Sequence, residues 1–208
     1  ADRVRALLAP ITSGNALNGK QYERSMLLLS DLPGIKVQSA LQTGDAAGTS
    51  DLTVQVHRAK PLDWSVGLDN FGTREAGEWR LGASMRWNEP LGIGDNMDVN
   101  VLGSEHGGTA FGRVAYETPL GYTGPRLGVG AAHVNYSLGG AFSALDAIGT
   151  ANIYDASLTF PLMRQRNQNF FLRLSADDKD LTDRLRAVGF SSHKRVQDVG
   201  VGWAWEKR

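Results

Sequence analysis

The chain has no cysteine. That excludes a disulfide scaffold, a thiolate zinc site and a cysteine nucleophile. It has no excess of charge: the formal net charge is +0 at pH 7, so nothing points to broad attraction to nucleic acid or acidic lipid. No apolar run approaches the ~20 residues a membrane helix needs. No basic stretch followed by an apolar segment opens the chain, so no signal peptide is expected; the protein is then either cytosolic or has lost its original N-terminus. His57, His106, His133 and His193 are scattered. There is no His-Glu-x-x-His pair, no Gly-x-Ser-x-Gly elbow and no P-loop. Gly128-Val129-Gly130 begins a dinucleotide pattern but no glycine follows at the required place. No catalytic constellation is left, so the chain is not read as an enzyme. No metal, no cofactor and no nucleotide are expected, and nucleic acid is not an expected partner. These absences leave membrane barrels open, because a barrel strand alternates apolar and polar residues and its mean hydropathy stays ordinary; here the mean is -0.27.

What is abundant is glycine, 25 residues of 208, which favours turns, bulges and closely packed strands. Two regions differ in period. From Ala1 to Lys60, Val4, Leu7, Leu8 and Ile11 recur at helical spacing, predicting a short helix that stops near Ser13-Gly14. Asn18 with Gln21 three residues on predicts a second helix start. Tyr22, Met26 and Leu29 form its stripe, widened by Leu28 and Leu32, and Pro33-Gly34 ends it. The period then becomes two. Val37, Ser39 and Leu41 alternate with Gln38, Ala40 and Gln42; after a loop at Gly44-Asp45-Ala46-Ala47-Gly48, Leu52, Val54 and Val56 alternate with Thr53, Gln55 and His57. The expectation is a small two-layer α+β unit that lacks a preceding strand.

From Pro61 to Arg208 the pattern predicts no helix and about eight alternating segments, each near the ~10 residues of a barrel strand. In Trp79 to Trp87, one face carries Trp79, Leu81, Ala83, Met85 and Trp87 and the other Arg80, Gly82, Ser84 and Arg86. Tryptophan at both ends of an apolar face is what an aromatic girdle at a membrane boundary requires. We therefore read Trp64, Trp79, Leu81, Met85, Trp87, Trp203 and Trp205 as lipid-facing rather than as carbohydrate platforms. Asn88 to Gly92 and Pro119 to Pro125 are compact turns, whereas Gly139 to Thr150 and Asp177 to Arg195 are expected to be longer loops on the other rim. Asp177, Asp178, Asp180 and Asp183 lack the spacing and the glycine of a calcium loop and are read as a solvated loop.

At this point the residues resemble a known family, the two-partner secretion transporters of the haemolysin activator, or ShlB/FhaC/HecB, type. Leu17-Asn18, Tyr22-Glu23-Arg24 and Leu27-Leu28-Leu29-Ser30-Asp31-Leu32-Pro33-Gly34 resemble the second helix of that family's periplasmic POTRA domain nearest the barrel. Gly44 and Gly48-Thr49-Ser50-Asp51-Leu52-Thr53-Val54 resemble its closing hairpin. Leu68-Asp69-Asn70-Phe71-Gly72, Gly77, Arg80-Leu81-Gly82 and Asn88-Glu89-Pro90-Leu91-Gly92-Ile93-Gly94-Asp95 are similar to the first barrel hairpin and turn. The resemblance implies a mainly β fold. It implies a POTRA domain at 1–60, its first strand missing, and the N-terminal part of a transmembrane antiparallel outer-membrane barrel at 61–208, with about eight of some sixteen strands. The family's Val-Arg-Gly-Tyr/Phe pore-loop motif is not matched; Arg186-Ala187-Val188-Gly189-Phe190 is only a loose echo. An open half-barrel would leave unpaired edges in lipid, so this chain alone is expected to form no working pore.

The function implied is export of a large secreted polypeptide partner, of haemolysin or adhesin type, across the bacterial outer membrane, unfolded and without ATP. The POTRA unit would sit in the periplasm and capture the partner by strand addition along Tyr22, Met26, Val37, Gln38, Ser39, Ala40 and Leu41. Arg80, Arg86, Asp98, Asn100, Arg113, Asp155 and Arg173 would line the lumen. The plainer reading of those charges is that they cancel across neighbouring strands. Two other functions compete: a barrel-assembly factor of the same superfamily, and a soluble β-sandwich binding module.

Overall fold

The computed structural model describes residues 2–11, 14, 16–46 and 48–207. Helix α1 (Asp2–Leu8) is shorter than its apolar stripe predicts. Pro10 is the cause: the residue before a proline is driven out of the helical region, and Ile11 N–H closes a final turn on Leu8 C=O at 2.8 Å. The expected stop at Ser13 lies outside the described residues, as does Ala47 in the predicted 44–48 loop. Helix α2 (Gly19–Ser30) is capped as predicted: Asn18 has extended backbone, and its side chain accepts from the N–H groups of Lys20 and Gln21 at 3.0 and 3.4 Å. Strands β1 (Ile35–Thr43) and β2 (Ser50–Arg58) pair antiparallel, Val37 opposite Val56 and Leu41 opposite Leu52. Leu7, Leu28, Leu29 and Leu32 form the core of this unit, and Val4, Leu8, Met26, Ile35 and Val37 pack against it.

Eight strands follow: β3 (Leu62–Asp69), β4 (Arg80–Asn88), β5 (Asn96–Ser104), β6 (Thr109–Pro119), β7 (Arg126–Leu138), β8 (Ala147–Arg164), β9 (Gln168–Leu185) and β10 (Phe190–Lys207). They make one antiparallel sheet in chain order, each strand paired with its neighbours in sequence and β3 and β10 at the edges. A single meander of this kind is not two packed layers, which removes the sandwich alternative. It is a partial barrel whose sheet is not closed.

Two expectations about connections are corrected. Thr150 lies inside β8, and Asp177 to Leu185 and Phe190 to Arg195 belong to β9 and β10; only 139–146 and 186–189 connect these strands. The last three strands are accordingly 18 residues long, against 8 for β3. The reason they read as loops is a change of patterning. Near the helical unit, one face of β8–β10 carries Leu158, Phe160, Leu172, Leu174, Val201 and Trp203; farther along, the same face carries Asn152, Asp178, Asp180, Thr182, His193 and Arg195. The opposite face changes the other way, to Ile153, Ala151 and Leu181. The aspartates read as a solvated loop are strand residues with cross-strand partners: Asp178 accepts two bonds from Arg195, Asp180 lies 3.4 Å from His193, and Asp183 accepts from Tyr136 O–H at 2.8 Å. Among the described residues no group of acidic and histidine side chains could hold a metal ion.

The rim far from the helices is held by crossing bonds. Glu105 accepts from the N–H groups of Glu78 and Trp79, Ser104 Oγ donates to Ala76 C=O, and Gly139 N–H donates to Glu75 C=O. Trp79 is thus anchored by its backbone just ahead of β4.

Candidate functional site

In the α+β unit, the side chains expected to form a groove separate into two groups. Met26 and Val37 are half-buried against the core. Tyr22 reaches across from α2 to β1, its hydroxyl 2.7 Å from Ser39 Oγ. Gln38, Ser39, Ala40 and Leu41 are exposed, Leu41 at 53% despite its apolar side chain. Among the described residues no further strand lies against either outer edge of the β1–β2 pair, and β1 runs beside α2.

On the large sheet, register sorts the side chains by face, since directly opposed residues share a side. Trp64, Met85, Val99, Val114 and Ala131 stand in one row, Trp87, Met97, Tyr116 and Val129 in the next, and Leu172 with Trp203 and Phe170 with Trp205 farther along. Leu81, opposite Leu68, shares this face. Trp64 and Trp203 are 71% and 72% exposed. Trp64, Trp87, Trp203 and Trp205 gather toward the end nearer the helices, and Trp79 precedes β4 at the other end. All seven residues read as lipid-facing are therefore brought to one side or its margin.

The opposite face holds Arg80, Arg86, Asp98, Asn100, Arg113, Asp155 and Arg173. Most are paired. Arg80 Nε donates to Asp69 at 2.8 Å and Arg86 Nε to Asp98 at 2.7 Å. Lys179 Nζ donates to Asp198 at 3.0 Å. Two contacts skip a strand. Arg113 on β6 and Asp155 on β8 meet at 2.5 Å across β7, where Gly130 lies between them. A Cβ on Gly130 would stand 2.6 Å from Arg113 Nη2 and from Asp155 Oδ2. Tyr136 on β7 likewise lies over Gly149 on β8 to reach Asp183 on β9. Glycine here supplies clearance for a side chain laid flat along the wall. The result is a polar, nearly charge-balanced face with little net field.

The compact turn after β4 has its own lock. Asp95, fully buried, accepts from the N–H groups of Leu91 and Ile93 at 3.1 and 3.2 Å and from Tyr116 O–H at 2.8 Å.

A junction that the sequence patterning left unnoticed joins the two units. Arg24 and Leu28 on α2 and Asp31 at its C-cap recur at i, i+4 and i+7, a face turned toward the sheet. Arg164, at the end of β8, makes a two-pronged pair with Asp31 at 2.8 and 2.9 Å and also donates to Asn169 at 2.7 Å. Arg24 Nη2 donates to Pro161 C=O at 3.0 Å, next to the register shift between Pro161 and Met163. Glu23 accepts from Arg166 N–H at 2.5 Å. Leu28 packs on Gly124, where an added Cβ would stand 2.8 Å from its Cδ2. A cavity of about 300 Å³ remains between Leu28, Leu32, Pro119, Tyr122, Thr159 and Phe171. The available signal was the mixed composition of α2: Leu28 sits off the Tyr22–Met26–Leu29 stripe and is flanked by opposite charges one turn away.

Comparison with known proteins gives a consistent picture. The profile of the haemolysin secretion/activation protein ShlB/FhaC/HecB matches residues 48–206. The heme/hemopexin transporter protein HuxB of Haemophilus influenzae strain 86-028NP is 28% identical over 182 residues, 88% of this chain and 32% of HuxB. The outer membrane transporter CdiB of Escherichia coli O6:K15:H31 is 32% identical over 97 residues, 47% of this chain and 16% of CdiB. Among solved structures, CdiB from Escherichia coli superimposes with a TM-score of 0.81 at 21% identity, covering 100% of this chain and 40% of CdiB. BamA from Haemophilus ducreyi, solved without POTRA domains 1–3, matches with a TM-score of 0.56 at 16% identity, covering 100% of this chain and 41% of BamA. The chain thus spans about a third of the length of HuxB and less of the CdiB relative.

Proposed function

This chain belongs to the haemolysin secretion/activation protein family ShlB/FhaC/HecB, and from that membership we propose that it serves an outer-membrane transporter of two-partner secretion. Residues 1–60 act as a POTRA domain in the periplasm and 61–208 as the N-terminal part of the barrel. A secreted polypeptide adds to the open edge of β1 beside Tyr22, Met26 and Val37 to Leu41, with main-chain bonds giving affinity and side-chain pockets giving selectivity. The face carrying Arg80, Arg86, Asp98, Asn100, Arg113, Asp155 and Arg173 lines the lumen. The face of Trp64, Trp79, Leu81, Met85, Trp87, Trp203 and Trp205 meets lipid, with the tryptophans at the membrane boundaries. Passage is unfolded and uses no ATP. Charges already paired along the wall suit this, because they keep the wall wet without trapping cargo.

The observation that supports the reading is a strand edge, unpaired among the described residues, on a unit bonded to one end of a sheet with a polar, nearly charge-balanced face. The names of relatives agree: HuxB is a heme/hemopexin transporter protein and the Proteus mirabilis relative HpmB a hemolysin transporter protein. The test is titration of the longest natural chain containing this sequence, in detergent, with the secretion-signal domain encoded beside it. Binding at micromolar concentration or tighter is expected, weakened at least tenfold by Leu41→Asp at the exposed edge. No binding at micromolar concentration overturns the reading. A general fall in outer-membrane proteins on depletion would instead favour barrel assembly.

A further inference from the structure

We infer that Asp31 and Arg164, with Arg24 and Glu23 beside them, are positioning residues for export: they fix where the capture edge stands relative to the mouth of the polar sheet face. This rests on the transporter reading above. Helix α2 works on two sides. Tyr22, Met26 and Leu29 belong to the core and to the β1 side; Arg24 and Asp31 meet the sheet, and Leu28, a core residue, also packs on Gly124. A 12-residue helix, ~18 Å long, thus links the edge that would hold cargo to the rim it must enter, beside the close approach of Gly34 to Asn88 and Glu89.

The attachment is specific in geometry. The planar guanidinium of Arg164 takes both oxygens of Asp31, which sets direction as well as distance. Its remaining nitrogen bonds Asn169, its plane lies 6.0 Å from the Phe171 ring centre, and its side chain is only 19% exposed. Asn169 and the Phe171 ring thus hold Arg164 independently of Asp31. The register shift between Pro161 and Met163 turns Pro161 C=O into an acceptor for Arg24. Asn169 and Phe171 lie on the same face of β9 as Arg173, so the clamp sits at the edge of the polar wall and not on the apolar side. Around it the packing is incomplete, with the 300 Å³ cavity below. The polar clamp therefore adds a direction that the contact of Leu28 with Gly124 does not itself fix. None of these groups touches the exposed part of β1.

The prediction separates capture from delivery. In the longest natural chain containing this sequence, Asp31→Arg and Arg164→Asp are each expected to cut the export rate at least tenfold. The Kd for the secretion-signal domain should stay within twofold of wild type. The exchange Asp31→Arg with Arg164→Asp restores the pair in reverse and should return export to within threefold. If charge-reversed chains fail to assemble, Asp31→Asn carries the same test, with at least a threefold loss of export at unchanged Kd. Export untouched by the single changes, or Kd weakening in step with export, or no rescue by the exchange, overturns this inference alone. A wild-type protein that binds no secretion-signal domain overturns the transporter reading and this inference with it.

Discussion

Arg113 and Asp155 lie on strands that are not neighbours, and their ion pair passes over Gly130 on the strand between. Both side chains keep partial exposure, 32% and 23%, so the pair is a partly shielded strap and not a buried charge. Gly130→Val should push the two groups apart and leave each imperfectly satisfied, costing about 1–3 kcal/mol. Urea unfolding of the barrel from lipid vesicles would register this as a lower midpoint. An unchanged midpoint would show that the strap contributes nothing to stability.

Depth along β9 gives a sharper test of which face meets lipid. Leu174 and Thr182 share a face, eight residues or about 26 Å apart along the strand. Leu174 sits in the apolar row with Leu158 and Val201, and Thr182 in the polar row with Thr150 and His193. Leu174→Arg is expected to cost about 2–4 kcal/mol and Thr182→Arg at most about 1 kcal/mol, read from the same unfolding assay. Equal costs would contradict the assignment of a membrane band ending between them.

The turn lock predicts coupling. Asp95→Ala removes the acceptor of two backbone N–H groups and of the Tyr116 hydroxyl; Tyr116→Phe removes one donor. A double-mutant cycle should return an interaction energy of about 0.5–3 kcal/mol. Strict additivity would mean that Asp95 is held by the two amides alone.

In the helical unit, Leu29 is fully buried at the centre of a small core. Leu29→Ala is expected to cost about 2–5 kcal/mol. A unit this size has little reserve, so the outcome to measure is protease cleavage within residues 1–58 while the barrel strands stay resistant. Cleavage spread evenly along the chain would show instead that the two parts unfold together.

Much of this was readable from period and caps. Asn18 marks the start of α2, and the Trp79–Trp87 alternation gives both the strand and its two faces. Besides the junction of α2 with β8, three features escaped, each for a physical reason. Pro10 overrides the apolar stripe of α1, since a proline constrains its predecessor more strongly than Ile11 rewards another turn. The upper halves of β8–β10 reverse their patterning, so Asp178, Asp180 and Arg195 resemble a charged loop although each sits in a ladder. The straps over Gly130 and Gly149 depend on residues two strands apart, which no local spacing in the chain encodes.

The meander has a kinetic corollary. Because each of the eight strands pairs with its predecessor, the sheet can grow hairpin by hairpin, closing only short loops at each step. The bonds from Arg24, Asp31 and Glu23 to the end of β8 are of another kind, spanning 137, 133 and 143 residues. They cannot form until β8 exists. Completion of this junction is then a late event in maturation: before β8 forms, the helical unit has the approaches of Gly34 to Asn88 and of Leu28 to Gly124 to hold it, but not the polar bonds that give it a direction.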